Sequence, residues 1–375
     1  MLAGEVQAPG RVNLIGEHID YHGLPVLPIA MDRRIRIRFR ARGDRRICAS
    51  SAAPFGRREF AWTGDLQPVA AGDWENYLRA AASAVASRWG LCAGVDAWIA
   101  ADLPPAAGLA SSSALIVAFT LCLLAANGIH AGFEELMAIL PEGEHFVGTR
   151  GGGMDHAAIL ASRAGCASLI EFAPLAVRHI VVPGDWAFLV AHSLETAEKS
   201  GSARTAYNAR RQAGAAALAR LGMASYREVI AAPQRHAELL ARLAGSNEDA
   251  ERDAFLHTTS ESARVTEAVA AIEAGDAAGF GRLLTESQGS LRDRQRVSSP
   301  ALDRLVDAAL ACGALGARLT GAGFGGAVVA VTRKPDLPAL RHGLISSYYD
   351  GRAGFCEADH LIDALPAAGA GFEVR

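Results

Sequence analysis

The residues able to do chemistry gather in a few short stretches. Near the N-terminus APGRVNLIGEHIDYHG, residues 8 to 23, packs Arg11, Glu17, His18, Asp20 and Tyr21 around an apolar strand. It is too polar at one end for a plain hairpin and reads as an edge that contacts a ligand. LPPAAGLASSSALIVAFTLCLLAA, residues 103 to 126, passes from two prolines through Gly108 into Ser111, Ser112 and Ser113, and then into an almost wholly apolar run. That is the pattern of a loop feeding a buried helix. A helix start presents unpaired N–H groups and the positive end of the dipole, and small residues let a phosphate come close. A serine hydroxyl there can ligate a magnesium ion bridging two phosphates, which points to a nucleoside triphosphate, although an ordinary capped core helix has the same pattern. GTRGGGMD, residues 148 to 155, cannot stay helical, because adjacent glycines cost backbone entropy; something approaches the backbone beside Asp155. LTGAGFGG, residues 319 to 326, is a further glycine-rich loop.

The elements that must position these stretches are legible in outline. Residues 34 to 39, Arg-Ile-Arg-Ile-Arg-Phe, alternate as an antiparallel strand with one wet face would, and PVLPIAM just before suggests its hairpin partner. Helices are expected over Trp74 to Trp89, after the serines, and over Glu134 to Val147, with a strand from Val95 to Ala101. Strand-like runs follow at Cys166 to Phe172, His179 to Val182 and Trp186 to Val190. Composition shifts near residue 185 to Ala-rich helical segments at 204 to 221, 234 to 244, 258 to 274, 277 to 292 and 300 to 313. AVVAVT and a closing helix and strand pattern come after the last glycine-rich loop.

Composition bounds the partners. With 375 residues, half of them apolar, the chain can hold two domains or one large one. Its 37 basic and 40 acidic residues leave a formal charge of −3, which supplies no broad basic field for nucleic acid or an acidic membrane, so the expected partner is small. Six cysteines, at 48, 92, 122, 166, 312 and 356, form no C-x-x-C pair and read as reduced cytosolic thiols. The N-terminus carries no targeting pattern, and the longest apolar run, Ala114 to Ala126, is too short to span a bilayer, so a cytoplasmic location is expected.

GRVNLIGEHIDYHG resembles the galactokinase signature, and the whole chain resembles the GHMP family of small-molecule kinases. LPPAAGLASSSA and LTGAGFGGA are similar to that family's second and third motifs and stand in order. WENY at 74 to 77, GMD at 153 to 155, YNARRQ at 207 to 212 and SLRDRQRVSSPALD at 290 to 303 resemble the galactokinase branch. The resemblance implies an α+β, two-domain GHMP kinase fold: residues 1–184 ribosomal protein S5 domain 2-like, residues 185–375 ferredoxin-like with added helices. ATP and sugar would meet in the cleft between them.

The resemblance also implies roles. Asp155 and Arg11 match the Asp and Arg that flank the reacting hydroxyl. A carboxylate can take the proton of a sugar hydroxyl, and a guanidinium can stabilise phosphoryl charge. A helix cap for Asp155 and a structural ion pair for Arg11 are the plain alternatives. Glu17, His18, Asp20, Gly152 and Tyr207 match the sugar contacts, and a carboxylate suits these because it accepts two hydroxyls at once. A core-satisfied ring is the alternative for His18. Gly108, Leu109, Ser111, Ser112 and Ser113 match the ATP loop, with Ser112 and Glu144 on the Mg2+ side. Glu144 precedes Asp155 by eleven positions where galactokinases usually show twelve, so Glu142 is a fallback. Ile19, His22, Ala110 and the segment HSLETAEKSGSARTAYNARR depart from the usual pattern and leave open a uronic acid, a pentose or an N-acetylated hexosamine. The expected reaction is galactose and ATP to galactose 1-phosphate and ADP, by a monomer or homodimer; the non-enzymatic alternative is a galactose- and ATP-binding sensor.

Overall fold

A computed structural model describes residues 2–105, 107–146, 148, 151–196, 202–244 and 249–374. The first half alternates strands and helices: β1 (Ala3–Ile15), β2 (Leu27–Ala41), β3 (Arg46–Ser51), β4 (Arg57–Ala61), α1 (Glu75–Trp89), β5 (Val95–Ala101), α2 (Ser111–Ala126), α3 (Phe133–Phe146), α4 (Met154–Ala161), β6 (Cys166–Phe172) and β7 (Leu175–Val181). After β8 (Trp186–His192) come α5 (Ser202–Leu221), α6 (Tyr226–Ala231), α7 (His236–Leu243), α8 (Asp249–Ala274), α9 (Ala277–Asp293) and α10 (Pro300–Ala311). The chain closes with β9 (Gly316–Thr320), β10 (Ala327–Arg333), α11 (Leu337–Leu344), α12 (Glu357–His360), β11 (Leu361–Asp363) and β12 (Gly371–Val374).

The first sheet has the order β12-β1-β2-β5-β3-β4, so the end of the chain returns to pair with its beginning. One expectation fails here. PVLPIAM and RIRIRF are not two arms of a hairpin; from Leu27 they form the single strand β2. Only Asp32 and Arg33 lie between them, a pair without the glycine that a two-residue hairpin turn favours, and the true partner is β1, with Val12 opposite Ile29 and Val6 opposite Ile37. The pairing shifts register between Pro9 and Arg11 and again between Asn13 and Ile15. Such bulges re-aim side chains, and these lie where the first motif meets the site.

The second sheet, β11-β8-β10-β9, is antiparallel and buried on both faces. Phe188, Val190, Val329 and Val331 face the large core shared with the first sheet, α1 and α2. Their alternates Leu189, Ala191, Val328 and Ala330 face a smaller core with α10 and α11. Because α2 is apolar around nearly its whole circumference, it lies inside the large core and carries the serines at its start to a fixed place. β3, β4 and α6 were not foreseen from the sequence, and α8 begins earlier than residue 258. Val147, the expected end of α3, lies outside the described residues. All six cysteines are unpaired, and no helix among the described residues is long and apolar enough to cross a membrane.

Candidate active site

Arg11 leaves β1 just after its first bulge. Its backbone N–H donates to the Leu109 carbonyl (3.1 Å), its Nη1 to the Gly108 carbonyl (2.7 Å) and its Nε to Asp155 Oδ1 (2.7 Å). One side chain therefore ties the first motif to the second and to the glycine-rich turn. The Arg11 side chain is 4% exposed and that of Asp155 14%, so the guanidinium is a buried support and the carboxylate is the more open of the two. Asp155 does not cap α4. The cap is Gly153, at φ +96°, and Asp155 stands in the first turn, where the helix dipole favours a negative charge.

Gly152 touches the other side of the site. Its N–H donates to Asp20 Oδ2 (3.0 Å), and a Cβ placed on it would lie 2.4 Å from both Asp20 C and Tyr21 N. Only glycine lets the turn carrying Asp155 seat against the turn carrying Asp20. Burial pushes the Asp20 carboxyl up to about 7, with the Asp155 and Glu17 carboxylates adding to the shift.

His18 adopts φ +61°, and its ring bridges Tyr21 and the third loop. Nε2 lies 3.1 Å from the Ala322 carbonyl and must carry the proton, so Nδ1 accepts from the Tyr21 hydroxyl at 3.0 Å. Burial, with His257 nearby, lowers the imidazole to about 3, so the ring is neutral. Tyr207, on α5, packs on His18 and Tyr21 with ring centroids 5.2 and 5.8 Å away. His22 lies between Tyr21 and Tyr226, and Ile19 is wholly buried, so both departures from the usual motif sit in packed surroundings.

Glu17 is almost fully buried and faces the second half of the chain. Its Oε1 accepts from Gly321 N–H (2.6 Å) and pairs with Arg318 (3.2 Å). Arg318 also donates to the Leu14 carbonyl (2.9 Å). On α8, Glu261 Oε1 accepts from Gly16 N–H (2.9 Å), and His257 donates to the Glu17 carbonyl (2.9 Å). Sequence reasoning missed these three supports. A lone Arg in the otherwise apolar GARLT and a His–Glu pair four apart on one helix were the signals available.

In the second motif the helix cap is Ala110, in the left-handed region at φ +58°, with no side chain capping the turn; the three serines are the first helical residues. Ser111 and Ser112 are half-buried, whereas Ser113 is fully buried. The Ser113 hydroxyl donates to Asp155 Oδ2 (3.3 Å), which sets it apart from the other two. Gly321, at φ +84°, backs this loop so closely that a Cβ would lie 2.9 Å from the Gly108 carbonyl oxygen. The side chain of Glu144 lies outside the described residues; Glu142 is exposed.

Known proteins are similar to this chain in sequence and fold. Residues 3–41 match the galactokinase galactose-binding signature, 76–163 the GHMP kinases N terminal domain and 268–350 the GHMP kinases C terminal model. A galactokinase of Roseiflexus sp. (strain RS-1) is 38% identical over 92% of this chain and 87% of its own length. The chain belongs to the galactokinase family. Another galactokinase, of Streptomyces coelicolor, is 33% identical over 97% of this chain and 92% of its own. The crystal structure of Lactococcus lactis galactokinase complexed with galactose superposes with a TM-score of 0.87 at 25% identity, covering 98% of this chain and 95% of that one. Methanococcus jannaschii mevalonate kinase shares the fold, with a TM-score of 0.66 at 16% identity over 96% and 98% of the two chains. The expected α+β GHMP kinase fold is therefore confirmed, and the galactokinase family places the chain among ATP-dependent sugar kinases.

Proposed function

We propose that the protein transfers the γ-phosphoryl group of ATP to the anomeric hydroxyl of galactose, giving galactose 1-phosphate and ADP. The observation that carries this reading is the Arg11–Asp155 pair, held at 2.7 Å where the first motif, the serine loop and the glycine-rich turn meet. In the reaction the hydroxyl oxygen forms the new P–O bond, its proton passes to Asp155, and the bond to the ADP oxygen breaks. Arg11 keeps the carboxylate charged and steadies the phosphoryl charge. Asp20, the Gly152 backbone and Tyr207 border the sugar, with His18 fixing the turn between them. Glu17 acts from behind this surface, because its carboxylate is engaged with Gly321 and Arg318.

Gly108, Leu109, Ser111 and Ser112 cradle the ATP phosphates at the start of α2. A serine hydroxyl is the hard oxygen donor that Mg2+ accepts alongside phosphate oxygens, and the resemblance of the second motif favours Ser112 for the metal side, with Glu144 as its carboxylate partner. When bound, the ion neutralises phosphate charge. The catalytic cleft lies between segments 1–184 and 185–375, and the protein works in the cytoplasm as a monomer or homodimer.

A sugar panel with ADP release as readout tests the substrate, and release with galactose is expected to exceed that with uronic acids, pentoses and N-acetylated hexosamines. Asp155→Asn is nearly isosteric and is expected to retain thermal stability and both substrate affinities while kcat falls roughly 10²- to 10⁴-fold. A near-normal kcat discards the base assignment, and no turnover with any sugar returns the protein to a sensor.

A further inference from the structure

We propose that Ser113 is a positioning residue for the catalytic base, fixing the Asp155 carboxylate from the side opposite Arg11. The proposal rests on the assignment of Asp155 as base. Ser113 follows directly on the two serines given to the nucleotide, yet its surroundings differ from theirs. Its side chain is fully buried, and its hydroxyl lies 3.3 Å from Asp155 Oδ2, across the gap between α2 and α4. A buried serine in a helix commonly turns back to the carbonyl four residues earlier. That carbonyl, of Leu109, accepts the Arg11 N–H at 3.1 Å, and the Ser113 hydroxyl reaches across to the neighbouring helix.

The geometry gives this contact a specific consequence. A carboxylate held at one oxygen can still pivot about its Cβ–Cγ bond, whereas one held at both cannot. Arg11 Nε takes Oδ1 at 2.7 Å and Ser113 Oγ takes Oδ2, so the carboxylate plane is set by β1 on one side and by α2 on the other. A carboxylate oxygen has two acceptor sites, so the Ser113 hydrogen bond does not by itself bar Oδ2 from taking the sugar hydroxyl proton. The helix whose first two residues seat the phosphates thereby also aims the base. The donor and acceptor of the phosphoryl group are registered against one rigid element, which is the arrangement that in-line transfer requires.

Hydrogen bonding to a carboxylate favours its charged form, so loss of Ser113 should make the base harder to ionise as well as less well aimed. Ser113→Ala is expected to lower kcat about tenfold, leave the KM for galactose and the Kd for ATP within about twofold, and move the acid limb of the kcat–pH profile up by roughly one unit. A hydroxyl that merely satisfies the core would alter the melting temperature without moving that limb. The effect is expected to vanish in the Asp155→Asn background, where the group it acts through is gone. A wild-type kcat and pH profile for Ser113→Ala beside an impaired Asp155→Asn overturns the inference alone. So does an undiminished Ser113→Ala effect in the double variant, or a loss confined to ATP affinity, which would return Ser113 to the nucleotide loop. Near-normal kcat for Asp155→Asn overturns the base assignment and this inference with it.

Discussion

Gly152→Ala is the smallest perturbation that should separate the sugar side of the site from its chemistry. The added methyl would sit 2.4 Å from Asp20 C, 2.4 Å from Tyr21 N and 2.6 Å from Asp20 Oδ2. Favourable carbon contacts lie at about 3.5–4.0 Å, so the two turns must part by about 1 Å. Two of the three clashing atoms are backbone, which leaves no side chain to swing away. Overpacking of this kind costs typically about 1–3 kcal/mol, and a displacement of about 1 Å at a reacting centre can cost about 10²-fold in rate. The Gly152 N–H to Asp20 hydrogen bond, 3.0 Å long, is stretched by the same movement. The expected outcome is a galactose KM raised at least tenfold, with kcat/KM down by about two orders of magnitude and ATP affinity intact. Gly222→Ala is the control: that glycine has φ +66° and nothing within 4 Å of a Cβ, so it suffers backbone strain without a clash at the site. Steady-state kinetics, galactose calorimetry and melting curves on both variants decide the matter. If Gly152→Ala keeps wild-type KM and stability, the close seating of these turns is not what shapes the sugar site.

Two further outcomes follow from the buried charges. Asp20 is held up to about 7 in the fold against an ordinary value of 3.8, so between those values the folded chain binds the proton that the unfolded chain has released. Its contribution to stability therefore falls as pH rises through that window. Galactose hydroxyls need the ionised acceptor, so galactose affinity should weaken by about tenfold per pH unit below 7 and level off above it, and Asp20→Asn should flatten the profile; a flat profile in the wild type rejects the assignment. Arg318→Met strips Glu17 of its buried partner and should cost about 3–5 kcal/mol in denaturant titrations, while Glu17→Gln with Arg318→Met recovers much of that loss without restoring galactose affinity. Unchanged stability of the single variant would show that the pair is not needed.

Much of the fold was readable because its long elements are strongly periodic and its turns are marked by glycine and proline. β2 is instructive: Asp32 and Arg33 interrupt the apolar run of a fifteen-residue strand and suggest a turn, but the pair lacks the glycine that a two-residue hairpin turn favours. β3 and β4 are hard to see in the sequence because RICASS and RREFA are short and have little period of their own, and only β4 is a charged edge strand. At the site, Arg11 and Asp155 lie 144 residues apart, and only the resemblance of their motifs named them together. The direction of the Ser113 hydroxyl could not be read at all, since it depends on where α4 lies relative to α2.

The supports of the first motif explain why the two halves of the sequence act as one enzyme. Over Leu14 to His18 the backbone and side chains bond to Arg318 on β9, to His257 and Glu261 on α8, and to Gly321 and Ala322 in the third loop. These bonds are not there for stability alone. Burial raises the Glu17 carboxyl and lowers the Arg318 guanidinium, each against the attraction of the other, so both partners are pushed towards neutrality. Glu261 behaves otherwise: Arg264 and His257, helped by hydrogen bonds, outweigh burial and hold it down at about 2. The anchor on α8 is thus a settled charge, whereas burial opposes the charges of the link to β9. An apolar pair in place of Glu17 and Arg318 could pack as well, but it would lose the bonds to Gly321 N–H and to the Leu14 carbonyl. Gly321 sits against Gly108, and Leu14 lies three residues beyond Arg11 on β1. The buried pair therefore sets the third loop, and through it the phosphate loop, in register with the strand that carries Arg11, which is a reason for the fold to tolerate two charges in its core.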